Sequence, residues 1–288
     1  MDIIAKKAYA KINLFLDVVS RYADGYHEVH TVMQTVSLAD DVTVSLEGDN
    51  GIEISCNALA LPTDERNIVW RASNLFFAEI GEKNRRGIKI NIVKRIPISA
   101  GLAGGSTNAA AVLCALNEMF GNRISRKRLL ELGATLGADV PFCMVGGTAY
   151  ADGKGDVLQS LPDISDRYMV IAVGGEGVST PWAYGELDRI FNNFSEEHNR
   201  PKPSFFSNED LLKNLYNIFE EAILPARPIA CELKDIMLSS GACGSIMSGS
   251  GPAVFGIFDD LTSAQNAISE INKRGYSSYL ARPVKQYF

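Results

Sequence analysis

The chain has 288 residues, 46% hydrophobic and 22% charged, enough to bury a large core without disulfides or metal, so general disorder is excluded. With 28 Lys plus Arg against 34 Asp plus Glu, the formal net charge of −6 argues against a nucleic-acid partner or attraction to an anionic membrane. The length favours two domains, expected at 1–160 and 161–288.

In chain order, Lys7 to Val18 alternates, with Ile12, Leu14, Leu16 and Val18 on one face and Lys11, Asn13, Phe15 and Asp17 on the other, which predicts a half-buried strand. Asp24-Gly25 marks a turn, and Thr31 to Leu38 and Asp41 to Leu46 read as two strands joined by a polar turn. A helix is expected over Val69 to Ile80, and a strand over Gly87 to Ile96. That strand runs into PISAGLAGGST (Pro97 to Thr107) and then an Ala-rich helix from about Asn108 to Phe120. A second helix follows behind Ser125 as its N-cap, then Gly137-Ala138-Asp139-Val140-Pro141 and strands near Gly147 to Ala151 and Val157. The second half reads as a strand from Tyr168 to Val173, helices over Asp210 to Phe219 and Pro228 to Ser239, strands over Cys243 to Met247 and Ala253 to Phe258, and a helix over Leu261 to Lys273. Helices on one face of an antiparallel sheet give an α+β class. Ser195 to Ser207, with Pro201 and Pro203, is the candidate for a mobile insertion.

No window approaches ~18 uninterrupted apolar residues, so no membrane span is expected, and the first residues lack the marks of a signal or transit peptide. The five cysteines (Cys56, Cys114, Cys143, Cys231, Cys243) are odd in number and form no CxxC, as do free thiols of a reducing compartment. A cytoplasmic location is therefore expected, with no cysteine catalytic.

GxxxxGK(S/T), a strand-to-helix GxGxxG, GxSxG and the DFG and HRD motifs are all absent. His27-Glu28-Val29-His30 has the wrong spacing for a zinc protease, and no metal ligands are assigned. The positive signal is the loop from Pro97 to Thr107. Small residues let backbone N–H groups approach a ligand, and the helix after it adds unsatisfied donors and its positive end, an arrangement suited to phosphate. A glycine turn chosen for tight packing is the bland alternative. Read alone, Asp139 is a helix cap, Lys11 a solvated strand lysine, and Tyr26 and His27 turn residues.

Together the segments say more. AKINLFL (Ala10 to Leu16), RYADGYHEVHTVMQ (Arg21 to Gln34), KRIPISAGLAGGSTNAAAVLCALN (Lys94 to Asn117), TLGADVPF (Thr135 to Phe142) and SGSGPAVFGIF (Ser248 to Phe258) resemble, in order and spacing, the landmarks of the GHMP kinase superfamily. ADGYH with LGADVPF resembles the branch acting on a cytidylated methylerythritol rather than homoserine or mevalonate kinases. The resemblance implies a two-domain α+β fold: an amino-terminal domain like domain 2 of ribosomal protein S5, with a left-handed crossover, and a ferredoxin-like carboxy-terminal domain. It implies ATP as co-substrate, accompanied by Mg²⁺, and phosphorylation of the 2-hydroxyl of 4-diphosphocytidyl-2-C-methyl-D-erythritol.

Carried over residue by residue, the resemblance implies that Lys94, Pro97, Ile98, Ser99, Ala100, Gly101, Leu102, Ala103, Gly104, Gly105, Ser106 and Thr107 hold ATP. It makes Asp139 the acceptor of the substrate hydroxyl proton, with Lys11 beside it, and it places Tyr26 and Tyr184 around the cytosine, with His27 and Asn13 as hydrogen-bonding partners. Thr107-Asn108 stands where many members have Ser-Asp, and Tyr184 where phenylalanine is common. Two rivals remain: another small-alcohol kinase of the superfamily, and a nucleotide-binding sensor that has lost catalysis.

Overall fold

The computed structural model describes residues 2–47, 51–81, 86–164, 166–194 and 208–285, so the proposed insertion at 195–207 lies outside the described residues. β1 (Ile3–Arg21) and β2 (His27–Glu47) pair antiparallel around Asp24-Gly25, with Gly25 at φ 87°. β2 does not break at the polar pair near position 40. Asp40 is instead drawn inward, fully buried, to accept the backbone N–H groups of Arg95 and Ile96.

β1 is not half-buried either, since Lys11, Asn13, Phe15 and Asp17 are each at most 5% exposed. Its apolar residues also change sides: Ile4 and Ala8 pack under helices, Ala10, Ile12 and Leu14 pack between two sheets, and Leu16 enters a third cluster. The pairing with β2 shifts between Tyr9 and Lys11, between Asn13 and Phe15 and between Val18 and Ser20, and at each of the last two β1 carries one extra residue. An extra residue exchanges the faces of the residues beyond it. Lys11, Asn13 and Leu16 consequently look into one cavity despite their mixed parity.

β3 (Ile52–Cys56) is followed by α1 (Ile68–Ile80), whose N-cap Asn67 accepts from Val69 N. β4 (Gly87–Val93) runs parallel to β3 and antiparallel to the second half of β2. Next come α2 (Gly104–Met119), α3 (Arg126–Leu136), capped by Ser125 as expected, and α4 (Asp139–Val145). β5 (Thr148–Asp152) pairs with the first half of β2 and carries β6 (Val157–Ser160) at its edge.

β7 (Tyr168–Val173) opens a second sheet, and α5 (Thr180–Ile190), not anticipated from its Pro- and Gly-containing sequence, follows. The single helix expected over Asp210 to Phe219 is instead α6 (Asn208–Lys213), the short β8 (Tyr216–Asn217) and the start of α7 (Phe219–Ile223). β8 leaves helical geometry to pair in parallel with Phe15 and Leu16 of β1. Tertiary pairing overrides local propensity there. α8 (Pro228–Ser239) and α9 (Leu261–Lys273) occupy the expected spans, around β9 (Gly244–Met247) and β10 (Val254–Phe258), and β11 (Ser277–Ala281) completes the antiparallel sheet β11-β7-β10-β9.

The result is four layers. Phe76, Phe77, Val112 and Leu116 pack α1 and α2 onto one face of the first sheet. Ile12, Val32 and Val36 meet Ile171, Phe255 and Ile257 between the sheets, and Leu233, Met237, Ala267 and Ile271 hold α8 and α9 on the outer face of the second. Truncating a fully buried Phe such as Phe76 to Ala costs roughly 3–5 kcal/mol. The layers are also stitched: Ser37 N donates to Arg282 O (2.8 Å) and Val284 N to Thr35 O (2.8 Å).

Candidate active site

The loop between β4 and α2 has an unusual backbone. Ser99, Gly101 and Ala103 have φ of 53°, 79° and 55°, and such non-glycine conformations persist only where the surroundings hold them. Here they do. Ala253 N donates to Ala100 O (3.2 Å) and Ser248 Oγ to Gly101 O (3.0 Å), so the Ser248-Gly251 turn clasps the loop. A Cβ at residue 101 would stand 2.1 Å from Ser248 O, which restricts the position to glycine.

α2 begins at Gly104 rather than near Asn108, and its first i→i−4 bond is Thr107 N to Ala103 O (2.9 Å). The N–H groups of Gly104, Gly105 and Ser106 therefore find no acceptor among the described residues. They concentrate the helix's roughly +0.5 terminal charge at one spot, an arrangement suited to an anion. At Gly105 a Cβ would meet only Ile68 Cγ2, at 3.7 Å, because that side faces open space.

Lys11 adjoins this loop through its own backbone, Lys11 N donating to Leu102 O (3.2 Å). Its Nζ donates to Asn13 Oδ1 (2.6 Å), Asn13 Nδ2 to Thr31 Oγ1 (2.8 Å), and Thr31 Oγ1 to Phe15 O (2.8 Å), a relay that fixes the ammonium. Asp139 Oδ2 lies 3.8 Å from that ammonium. The capping role that Asp139 has when read alone is not found: Ala138 occupies the cap position without a side-chain bond, and Asp139 is the first residue of α4.

At the far end Tyr26 is 62% exposed at the hairpin tip, with Lys154 Nζ 4.0 Å above its ring and bonded to Asp24. The His27 ring stacks on Tyr184 (4.6 Å, 24°), and Tyr184 meets Phe219 edge-on. Burial, reinforced by Asp139, pushes the Tyr184 phenol well above its usual range, so it stays protonated. His27 Nε2 donates to Asp188 Oδ1 (2.7 Å), which Arg21 also approaches (3.2 Å).

One cavity of about 1440 Å³ is lined by Lys11, Asn13, Tyr26, His27, Lys94, every residue from Pro97 to Ser106, Asp139 and Tyr184. Thr107 is not among them. It is 1% exposed, its hydroxyl within bonding reach of the Cys143 thiol. Sequence reasoning missed Asp40, Arg21, Asp188, Lys154 and Ser250, whose partners lie far away in sequence. Asn108 carried a signal as a departure from the expected pattern, and Arg21 and Ser250 fall inside the landmark segments without a role of their own. All five cysteines are free thiols.

An unpartnered helix N-terminus facing a lysine and a carboxylate across one cleft is the equipment of a phosphoryl-transfer enzyme. The family model of the GHMP kinases N terminal domain matches residues 67–147, and that of the GHMP kinases C terminal matches 205–277. The chain belongs to the GHMP kinases. It is 42% identical to the 4-diphosphocytidyl-2-C-methyl-D-erythritol kinase of Clostridium perfringens over 284 residues, covering 96% of this chain and 97% of that one. It is 42% identical to the same-named kinase of Caldicellulosiruptor saccharolyticus, covering 92% and 91%. A crystal structure titled 4-(cytidine 5'-diphospho)-2C-methyl-D-erythritol kinase superposes with a TM-score of 0.78 at 31% identity, covering 96% of this chain and 98% of that chain. Homoserine kinase from Cytophaga hutchinsonii shares the fold, at TM-score 0.72 and 20% identity. No helix among the described residues is long and apolar enough to cross a membrane.

Proposed function

We propose that this kinase transfers the γ-phosphoryl group of ATP to the 2-hydroxyl of 4-diphosphocytidyl-2-C-methyl-D-erythritol, giving the 2-phosphate and ADP, as a cytoplasmic step in isoprenoid precursor synthesis. The observation that carries the reading is the 3.8 Å approach of Lys11 Nζ to Asp139 Oδ2 in the cavity that also receives the N-terminus of α2. A silent sensor has no use for that pair.

In this reading the backbone from Pro97 to Ser106 cradles the phosphates, and Asp139 accepts the proton of the acceptor hydroxyl. Lys11 holds the developing alkoxide by charge, and the Asn13-Thr31 relay keeps its ammonium in place. Transfer is direct, since positioning and charge neutralisation supply the catalysis. The cytosine lies by Tyr26 and Tyr184 with His27 at its edge. For Mg²⁺ accompanying ATP, Ser106 puts a hard oxygen donor on the cavity wall and would hold it together with the phosphates, whose charge it would neutralise; Asn108, 3% exposed and bonded to Lys94 and Asp40, would not. Residues 1–160 and 161–288 are taken as the two domains.

The test is ADP release with the cytidylated alcohol against a panel that includes the free polyol, homoserine and mevalonate. Turnover confined to the cytidylated compound is expected. Equal turnover of the free polyol would replace this reading with the broader small-alcohol kinase.

A further inference from the structure

Asp40 is fully buried, yet the chemistry just described does not use it. Its four acceptor sites are all engaged. Oδ1 accepts from Arg95 N (2.7 Å) and Ile96 N (2.8 Å), where the chain enters the phosphate loop. Oδ2 accepts from Asn108 Nδ2 (2.9 Å), on the first turns of α2 where the loop ends, and from Lys94 Nζ. Asn108 Oδ1 closes the triangle by accepting from Lys94 Nζ (3.1 Å). One carboxylate thus ties down both ends of the loop.

The ammonium is also placed. Lys94 Nζ lies 2.7 Å from where a Cβ on Gly104 would stand, against the first residue of α2, and Lys94 lines the cavity. Of its three N–H donors, two go to Asp40 and Asn108, and no described residue takes the third. A buried cation beside the positive end of a helix is unfavourable unless a counter-charge holds it there. Asp40 supplies that charge from behind. The amide of Asn108 both donates to Asp40 and accepts from Lys94, whereas an ionised Asp at 108 could only accept and would face Asp40 with like charge.

We propose that Asp40 and Asn108 are positioning residues that act through Lys94: they hold its ammonium beneath the first turn of α2 with one N–H left for the phosphates of the bound nucleotide. The proposal rests on the loop being the nucleotide site. Asn108→Leu, close in volume and unable to make either bond, and Lys94→Met are each expected to weaken ADP binding, measured calorimetrically, and to raise the ATP KM by about 10-fold or more, the worth of hydrogen bonds to a charged group. The KM for the acceptor should move less than about 2-fold, within the additivity error of independent sites. Because Asn108 works through Lys94, the double variant should bind no more weakly than Lys94→Met alone.

A fall in thermal midpoint with unchanged ADP affinity would make the triangle merely structural and overturn the proposal, as would effects that add in the double variant. Asp40→Asn is the harsher probe, and the two milder variants decide the matter if it does not fold. Failure of the underlying reading looks different: Gly105→Val would leave nucleotide affinity intact in the otherwise unaltered protein.

Discussion

The two ends of the cavity are built by opposite means. The phosphate end is backbone: three left-handed residues, three unpaired N–H groups, and a buried carboxylate with every acceptor site filled. The base end is side chain: an exposed tyrosine at a hairpin tip, and a histidine held between Tyr184 and Asp188 of α5. Backbone geometry is set once for any nucleotide, while side chains can be exchanged to suit an acceptor. In the proposed reading the first end therefore follows from the fold, and the second selects the reaction partner.

The sharpest probe sits between the ends. Asp139→Asn should lower kcat by roughly 10² to 10⁴, the usual contribution of a general base, with KM values within a small factor. Because Asp139 caps nothing, the thermal midpoint should hold, and near-normal turnover would remove the carboxylate from catalysis. Next comes the backbone end. The Cβ of Gly105→Val would meet only Ile68 Cγ2, at an ordinary contact distance of 3.7 Å, so a loss of nucleotide affinity of about 10-fold, equivalent to ~1.4 kcal/mol, with folding intact would report the ligand's own proximity. Titrating ATP analogues into the variant measures it.

At the base end, Tyr26→Ala should raise KM for the cytidylated acceptor by the equivalent of about 1–3 kcal/mol of stacking without changing stability, because the ring is 62% exposed. Tyr184→Ala should do the same and also lower the thermal midpoint, since its ring supports His27 and Phe219. Equal stability losses in the two variants would contradict this asymmetry.

The smallest effects belong to thiols. Cys143 is buried and its thiol is pushed well up by desolvation and Asp139, so alkylation near pH 8 should label the exposed Cys243 first. Desolvation pushes the Cys114 thiol from 9.0 to about 11. The folded state thus favours its protonated form, and that stabilisation is complete below about pH 9 and lost as pH rises through 11. Denaturant midpoints over that range, compared with Cys114→Ala, would isolate it.

How much was legible follows the same division. The unusual backbone of the loop expected over Pro97 to Thr107 could be read because consecutive small residues write a conformation directly into sequence, whereas nothing in them showed that Thr107 turns away from the cavity. α8 and α9 matched their spans, as amphipathic spacing and Asp260 or Pro228 mark them locally. Asp40 read as a turn residue because its partners are 54 to 68 positions away, and Asp188 stayed silent because His27 lies 161 positions upstream. β8 was lost to a helical pattern, since only the presence of β1 makes two residues a strand. The strict alternation of β1 misled for a different reason: side-chain parity is not visible where a strand carries an extra residue.

That extra residue sets a rule for chain length. Between Asn13 and Leu16 the strand counts one more residue than its partner, and Leu14 and Phe15 both face the layer between the sheets. Deleting one of these two would restore plain alternation and leave Lys11, Asn13 and Leu16 aimed as they are. A second extra residue sits between Val18 and Ser20, so deleting Val19 would likewise restore alternation and keep Arg21 opposite His27 at the hairpin that carries Tyr26. The same loss of three nucleotides from the coding sequence is thus expected to be absorbed at codon 14, 15 or 19 and, at codon 7 in the regularly paired stretch, to turn Ile4 out of the core under the helices.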